Sequence, residues 1–255
     1  MAEVSFRFYE ELNDFLPPDR RKQDFTIPFR SQNSIKDMIE SVGVPHTEVD
    51  LILVNGESVD FNYIVRPGDR ISVYPEFEAF DIANLTRLRP EPLRRTRFVL
   101  DANLGKLAHY LRLLGFDTLY ENDWDDARLA SIAAAGDKRI LLTRDHGLLK
   151  RKKVTHGYFV RNDNPEKQVR EVLSRFDLYD SVRSFTRCTQ CNGLIRPVDK
   201  EQVVERLPCR VAEAFDRFSM CDTCGRIYWQ GSHYEHMKRI IDDLLNKETM
   251  IVGSK

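Results

Sequence analysis

RFVLDANLGKLAHYLRLLGFDTLY occupies residues 97–120 and reads as strand, helix, strand. RFVLD (97–101) is an apolar run closed by an aspartate. In ANLGKLAHYLRLLG (102–115), Leu104, Leu107, Ala108, Leu111 and Leu114 recur at helical spacing and form one apolar face, and Gly115 stops the helix. FDTLY (116–120) returns to strand character. Downstream the alternation continues. Asp125 is a candidate N-cap for DARLASIAAA, which ends at Gly136; RILLT (139–143) and GYFVR (157–161) are strands; Pro165 opens a helix through Phe176. Strands alternating with helices predict an α/β fold with a mostly parallel sheet flanked by helices.

Upstream the pattern is different. EVSFRFY (3–9) alternates as a strand, and FTIPF (25–29) is a second strand that Pro28 assigns to a sheet edge. Ser34 caps a helix that Gly43 ends, and LILVNGESV (51–59) is a hairpin turning on Asn-Gly. RPGD (66–69) precedes the strand RISVYP (70–75). The order β-β-α-β-β-β predicts a β-grasp domain over residues 1–78. Residues 79–96 lack periodicity, carry two prolines and are arginine-rich, as a linker would be. The α/β domain then spans 97–184, and a cysteine-bearing module with a C-terminal helix spans 185–250.

That module contains CTQC (188–191) and CDTC (221–224), separated by twenty-nine residues. Zinc favours tetrahedral thiolate coordination, and each Cys-x-x-Cys turn presents two sulfurs to one ion. Cys188, Cys191, Cys221 and Cys224 are therefore expected to hold a structural Zn²⁺ in a closed Cys₄ site. Iron in the same site, a redox dithiol, or two unrelated buried cysteine pairs are the alternative readings. Cys209 lies between the pairs and is expected to be a packed free thiol. Ser232–Asn246 reads as an amphipathic helix, with His233 and His236 on its surface.

Composition sets bounds. The 255 residues are 42% hydrophobic with a net charge of −1, so any nucleic-acid argument must be local. No apolar run approaches the ~20 residues that cross a bilayer. The N-terminal segment is charged from residue 3 and has no signal-peptide core. Cysteines arranged in metal-type pairs fit a reducing compartment, and a cytoplasmic protein is expected.

In parallel α/β sheets, functional groups gather beyond the carboxyl ends of strands. Asp101 ends one strand and Asp145 follows another by two residues. Asp126 stands in the first turn of the intervening helix. Together these carboxylates suit Mg²⁺ or Mn²⁺. Read singly, Asp126 is also what a helix dipole favours, and Asp145 also suits a turn. Seven Lys or Arg residues lie between Lys138 and Lys153, around Asp145, and could form a phosphate-binding stripe or a solvated face. Lys106 and Arg144 adjoin the acidic positions.

The segments DANLGKLAHYLRLLGFDT, DDARLASIA, RILLTRDHGLL and CTQC…CDTCGRIYWQGSH resemble the Mut-seven C-terminal RNase family, a PIN-like nuclease domain followed by a zinc ribbon. The resemblance covers roughly residues 97–245. It implies that Asp101, Asp126 and Asp145 are the acidic metal-binding positions. Asn103 departs from the family's usual hydrophobic residue. Residues 1–78 resemble the ubiquitin-like domain found ahead of this nuclease. Related sulfur carriers end in Gly-Gly, whereas PEFEAF here runs on into the linker, so docking or RNA positioning is the expected role.

The resulting expectation is a metal-dependent ribonuclease acting on RNA, with tRNA or another structured RNA as candidate substrate. Asp101, Asp126 and Asp145 are its catalytic residues, and Lys106 and Arg144 orient phosphate. The alternatives are a non-catalytic RNA-binding adaptor and a protein-interaction module working through the ubiquitin-like domain.

Overall fold

The computed structural model describes residues 2–29, 33–75, 96–136 and 139–246. The expected linker, apart from Thr96, and Lys138 of the basic run lie outside the described residues. The first part of the chain forms β1 (Ala2–Phe8), β2 (Phe25–Phe29), α1 (Ile35–Ser41), β3 (Leu51–Val54), β4 (Glu57–Ser58) and β5 (Arg70–Tyr74). The middle forms β6 (Arg97–Leu100), α2 (Gly105–Leu113), β7 (Asp117–Leu119), α3 (Asp126–Ala134), β8 (Ile140–Thr143), α4 (His146–Leu149), β9 (Gly157–Phe159) and α5 (Pro165–Arg175). The last part forms β10 (Ile195–Val198), α6 (Cys209–Ala214), β11 (Phe218–Cys221), β12 (Ile227–Trp229) and α7 (Ser232–Leu245). Two complete sheets result, with orders β2-β1-β5-β3-β4 and β10-β11-β12, while β6 pairs with β7 and β8 with β9, both in parallel. The architecture is mixed α/β, as expected.

The chain divides into two compact units: Met1–Arg95 with Trp124–Phe159, and Thr96–Asp123 with Val160–Lys255. In the first unit, the first and last strands of the five-stranded sheet, β1 and β5, pair in parallel, which is the β-grasp arrangement. Pro28 lies on β2, at the sheet edge, where a missing N–H costs no ladder bond. Ser34 caps α1 by accepting from the Asp37 N–H at 3.1 Å. Asn55 and Gly56 turn the β3–β4 hairpin at φ +52° and +92°, the left-handed pair that such a tight turn requires. Phe6, Phe8, Ile35, Ile39, Ile52 and Val73 fill the core.

The β-grasp also packs against α4 and β9 of the same unit. Phe15 meets His146 and Phe159 edge-on, with centroids 5.0 and 5.6 Å away. Glu48, buried in a 3₁₀ turn, accepts from the Phe159 N–H. Buried His46 lies 2.6 Å from Glu40 through Nδ1 and 2.9 Å from the Val154 carbonyl through Nε2. Replacing His46 by alanine strands these acceptors. His46→Ala is expected to cost about 1–3 kcal/mol, read as a lowered urea midpoint.

In the second unit, β6 and β7 are parallel, and α2 buries Leu107, Ala108 and Leu111. Asn164 caps α5 by accepting from the Glu166 and Lys167 N–H groups. The three strands β10, β11 and β12 are antiparallel neighbours, a form compatible with a zinc ribbon. Among the described residues no helix is long and apolar enough to cross a membrane.

Candidate metal centre and acidic residues

Cys188 and Cys191 form one knuckle, and Cys221, the last residue of β11, opens the other. In each, the N–H of the second cysteine points at the first sulfur from 3.5 Å. The residue after each second cysteine is left-handed: Asn192 at φ +69° and Gly225 at φ +70°. The chain thus bends around the sulfur in both turns, with residue types that tolerate that backbone. At Gly193 a Cβ would lie 2.8 Å from the Cys221 sulfur, so the knuckles approach too closely for a side chain there.

The four sulfurs all lie within 4.8 Å of one another, with Cys188–Cys224 at 3.7 Å and Cys191–Cys221 at 3.4 Å. A zinc tetrathiolate with bonds of about 2.3 Å has sulfur–sulfur edges of about 3.8 Å. The donor set therefore fits a metal such as zinc. Burial opposes ionisation of Cys188, yet the Tyr228 hydroxyl and the Cys191 and Gln190 N–H groups draw its pKa down to about 6. Burial and the neighbouring thiols push Cys191 up to about 12. A bound metal takes the thiolate form of its cysteine ligands and releases their protons. Cys209 differs from expectation: it is exposed, at the first position of α6, because the short α6 buries none of its residues.

Two residues outside the cysteine motif hold the first knuckle. Arg112, buried on α2, donates to the carbonyls of Thr118, Gln190, Thr189 and Tyr120 at 2.8, 2.9, 3.2 and 3.3 Å. Burial lowers its pKa, while Glu121, Cys191, Cys188 and Tyr120 draw it back up. Asn192 accepts from the Thr118 N–H at 3.0 Å and donates to Asp117 at 2.8 Å. The fork of Arg112 reaches chain segments far apart in sequence, and its helical position gave no signal of this role.

The acidic candidates have the following places. Asp101 follows β6 and accepts from the Ala102 N–H at 2.6 Å; it belongs to the second unit. Asp126 and Asp145 belong to the first. Asp126 opens α3 and pairs with Arg151 at 3.0 Å, both side chains about half exposed. Asp145 is exposed and caps α4, accepting from the Gly147 N–H at 2.6 Å. Asp125 is the N-cap of α3, as expected. Among the described residues, the four cysteines are the group of three or more potential ligands whose donor atoms gather closely.

Lys106 is exposed and Arg144 half-buried. The basic run is partly committed elsewhere. Arg139 is buried, Lys150 donates to the Glu40 carbonyl at 3.2 Å, and Arg151 holds Asp126. Asn103 is exposed, so its departure from an apolar residue opens no gap in the core.

Residues 1–81 match the model of the Mut7-C ubiquitin family, and residues 96–241 match that of the Mut7-C RNAse domain. No curated protein and no solved structure matches the chain. The RNAse match covers more than half of the sequence, with the ubiquitin-like match ahead of it. The chain belongs to the Mut7-C RNAse domain family, with the family's ubiquitin-like domain at its N-terminal side.

Proposed function

We propose that this protein is a divalent-metal-dependent ribonuclease, with Asp101, Asp126 and Asp145 as its metal-binding carboxylates. The observation that carries the reading is the RNAse-family match across 96–241, which includes all three. Their positions support it: Asp101 directly follows β6, Asp145 lies two residues beyond β8, and Asp126 opens α3. Carboxylate oxygens suit Mg²⁺ or Mn²⁺. Such a cation, when bound, supplies activated water and charge neutralisation at phosphorus. Lys106 and Arg144 orient the phosphate. Arg151 must leave Asp126 for a cation to enter, which costs little because a half-exposed pair is worth about 0–1 kcal/mol. Zinc in the Cys₄ site plays a structural part, since four thiolates leave no open position. The thiolate chemistry supports a reducing, cytoplasmic location. The ubiquitin-like domain suggests a protein-interaction role beside RNA, with docking or RNA positioning as its function.

The test is cleavage of a labelled RNA, structured and unstructured, with Mn²⁺. Asp101→Asn combined with Asp145→Asn is expected to lower the rate by about a hundredfold or more. Equal cleavage by variant and wild type excludes these carboxylates. A second reading, a non-catalytic RNA-binding adaptor, is favoured by the local occupations of Asp126 and Asp145 as ion pair and helix cap. It predicts RNA binding with no divalent-dependent cleavage in either protein.

A further inference from the structure

The second unit holds a cleft of about 400 Å³ on the zinc-ribbon sheet. Ser219 and Tyr228 are directly paired across β11 and β12. Arg217 immediately precedes β11 and Arg226 immediately precedes β12, and both line the cleft. The start of α7 forms another wall through His233 and Tyr234. The Tyr234 ring packs on Phe185 with centroids 4.4 Å apart. Phe185 is held at φ +61°, a left-handed backbone that a bulky side chain rarely adopts.

Charge is one-sided here. No aspartate or glutamate lines the cleft. Arg217 and Arg226 are exposed, and their side chains make no hydrogen bond or ion pair among the described residues. Arg187, by contrast, is engaged with Asp117 at 3.6 Å and with the Asn192 carbonyl at 2.8 Å. Gly231 at the α7 N-cap offers no side-chain acceptor, which adds partial positive charge at the same wall.

Aromatic rings beside uncommitted arginines are the surface that single-stranded nucleic acid uses: bases stack, guanidinium groups hold phosphates. A concave site of this size takes an unstacked base, which a duplex does not offer. We propose that the zinc-ribbon cleft is a single-stranded RNA subsite, in which one base enters among Tyr228, Tyr234 and Phe185 while Arg217 and Arg226 bind the adjoining phosphates. The proposal rests on the ribonuclease reading only for the identity of the nucleic acid.

The experiment is fluorescence anisotropy of the full-length, zinc-loaded protein with a fluorescein-labelled single-stranded RNA dodecamer, without added Mn²⁺ or Mg²⁺. Arg217→Ala with Arg226→Ala is expected to weaken binding about tenfold and to make the log–log salt slope shallower by about 1.4, or about 0.7 per lost phosphate contact. Tyr234→Leu is expected to weaken binding about tenfold with the slope unchanged. Zinc content equal to wild type certifies the fold of each variant. Unchanged affinity in the double-arginine variant overturns the subsite, and so does displacement of the RNA by polyglutamate as effectively as by unlabelled RNA. Because binding is read without cleavage, this result and the carboxylate test fail independently.

Discussion

Stripping the metal from Cys188, Cys191, Cys221 and Cys224 is expected to unfold β10–β12 and alter the fluorescence of Trp229 in β12. The reason is the scarcity of other support. Among the described residues 185–231, the buried apolar side chains are Cys188, Val203, Phe218 and Cys221, so half belong to the four-cysteine cluster. A structural zinc supplies about 10–16 kcal/mol of apparent binding energy, coupled to folding. A Trp124→Phe background leaves Trp229 as the reporter, since the chain has two tryptophans. Mercurial titration of the thiols should release one zinc per chain. Cys221→Ser should prevent loading, whereas Cys209→Ser should leave it intact. Binding displaces protons from the thiols, so loading weakens as pH falls. A metal-free protein with unaltered Trp229 emission and native amide protection in β11 would show that side-chain packing alone holds the ribbon.

The second large effect concerns Arg112. Its guanidinium serves four carbonyls in two places, the end of β7 and the first cysteine turn. A zinc tetrathiolate carries a double negative charge, and Arg112 is electrostatically coupled to Cys188 and Cys191. Removing the side chain therefore leaves buried acceptors unmatched and withdraws a compensating cation. Arg112→Met is expected to cost about 3 kcal/mol, measured as a urea midpoint shift in zinc-loaded protein. Arg112→Lys should recover only part of this, because an ammonium cannot reproduce the planar fork. A change of less than about 0.5 kcal/mol for Arg112→Met would mean that the knuckle is held by its metal alone.

What the sequence made legible was local. The Ser34 cap, the Asn55–Gly56 turn and the leucine face of α2 each depend on residues a few positions apart. The two cysteine turns are equally local, and the fixed geometry of thiolate coordination joins them across the intervening residues. The roles of Arg112 and His46 were invisible because their partners lie on distant segments, Gln190 in one case and Val154 in the other. The aromatic cleft escaped for the same reason: Phe185, Ser219, Tyr228 and Tyr234 share no periodicity. The acidic residues are an intermediate case. Strand-end position made Asp101 and Asp145 candidates, whereas the pairing of Asp126 with Arg151 required knowing which side of α3 the residues after α4 approach.

Cys209 gives the molecule a practical asymmetry. Once the other four thiolates are bound to an ion, it is the remaining sulfhydryl, and it is exposed at the start of α6. A maleimide dye or spin label would therefore attach at a single defined point of the native chain. The count of modified thiols would rise from one to five as the ion is lost, so the same reagent serves as a gauge of metal occupancy in each preparation.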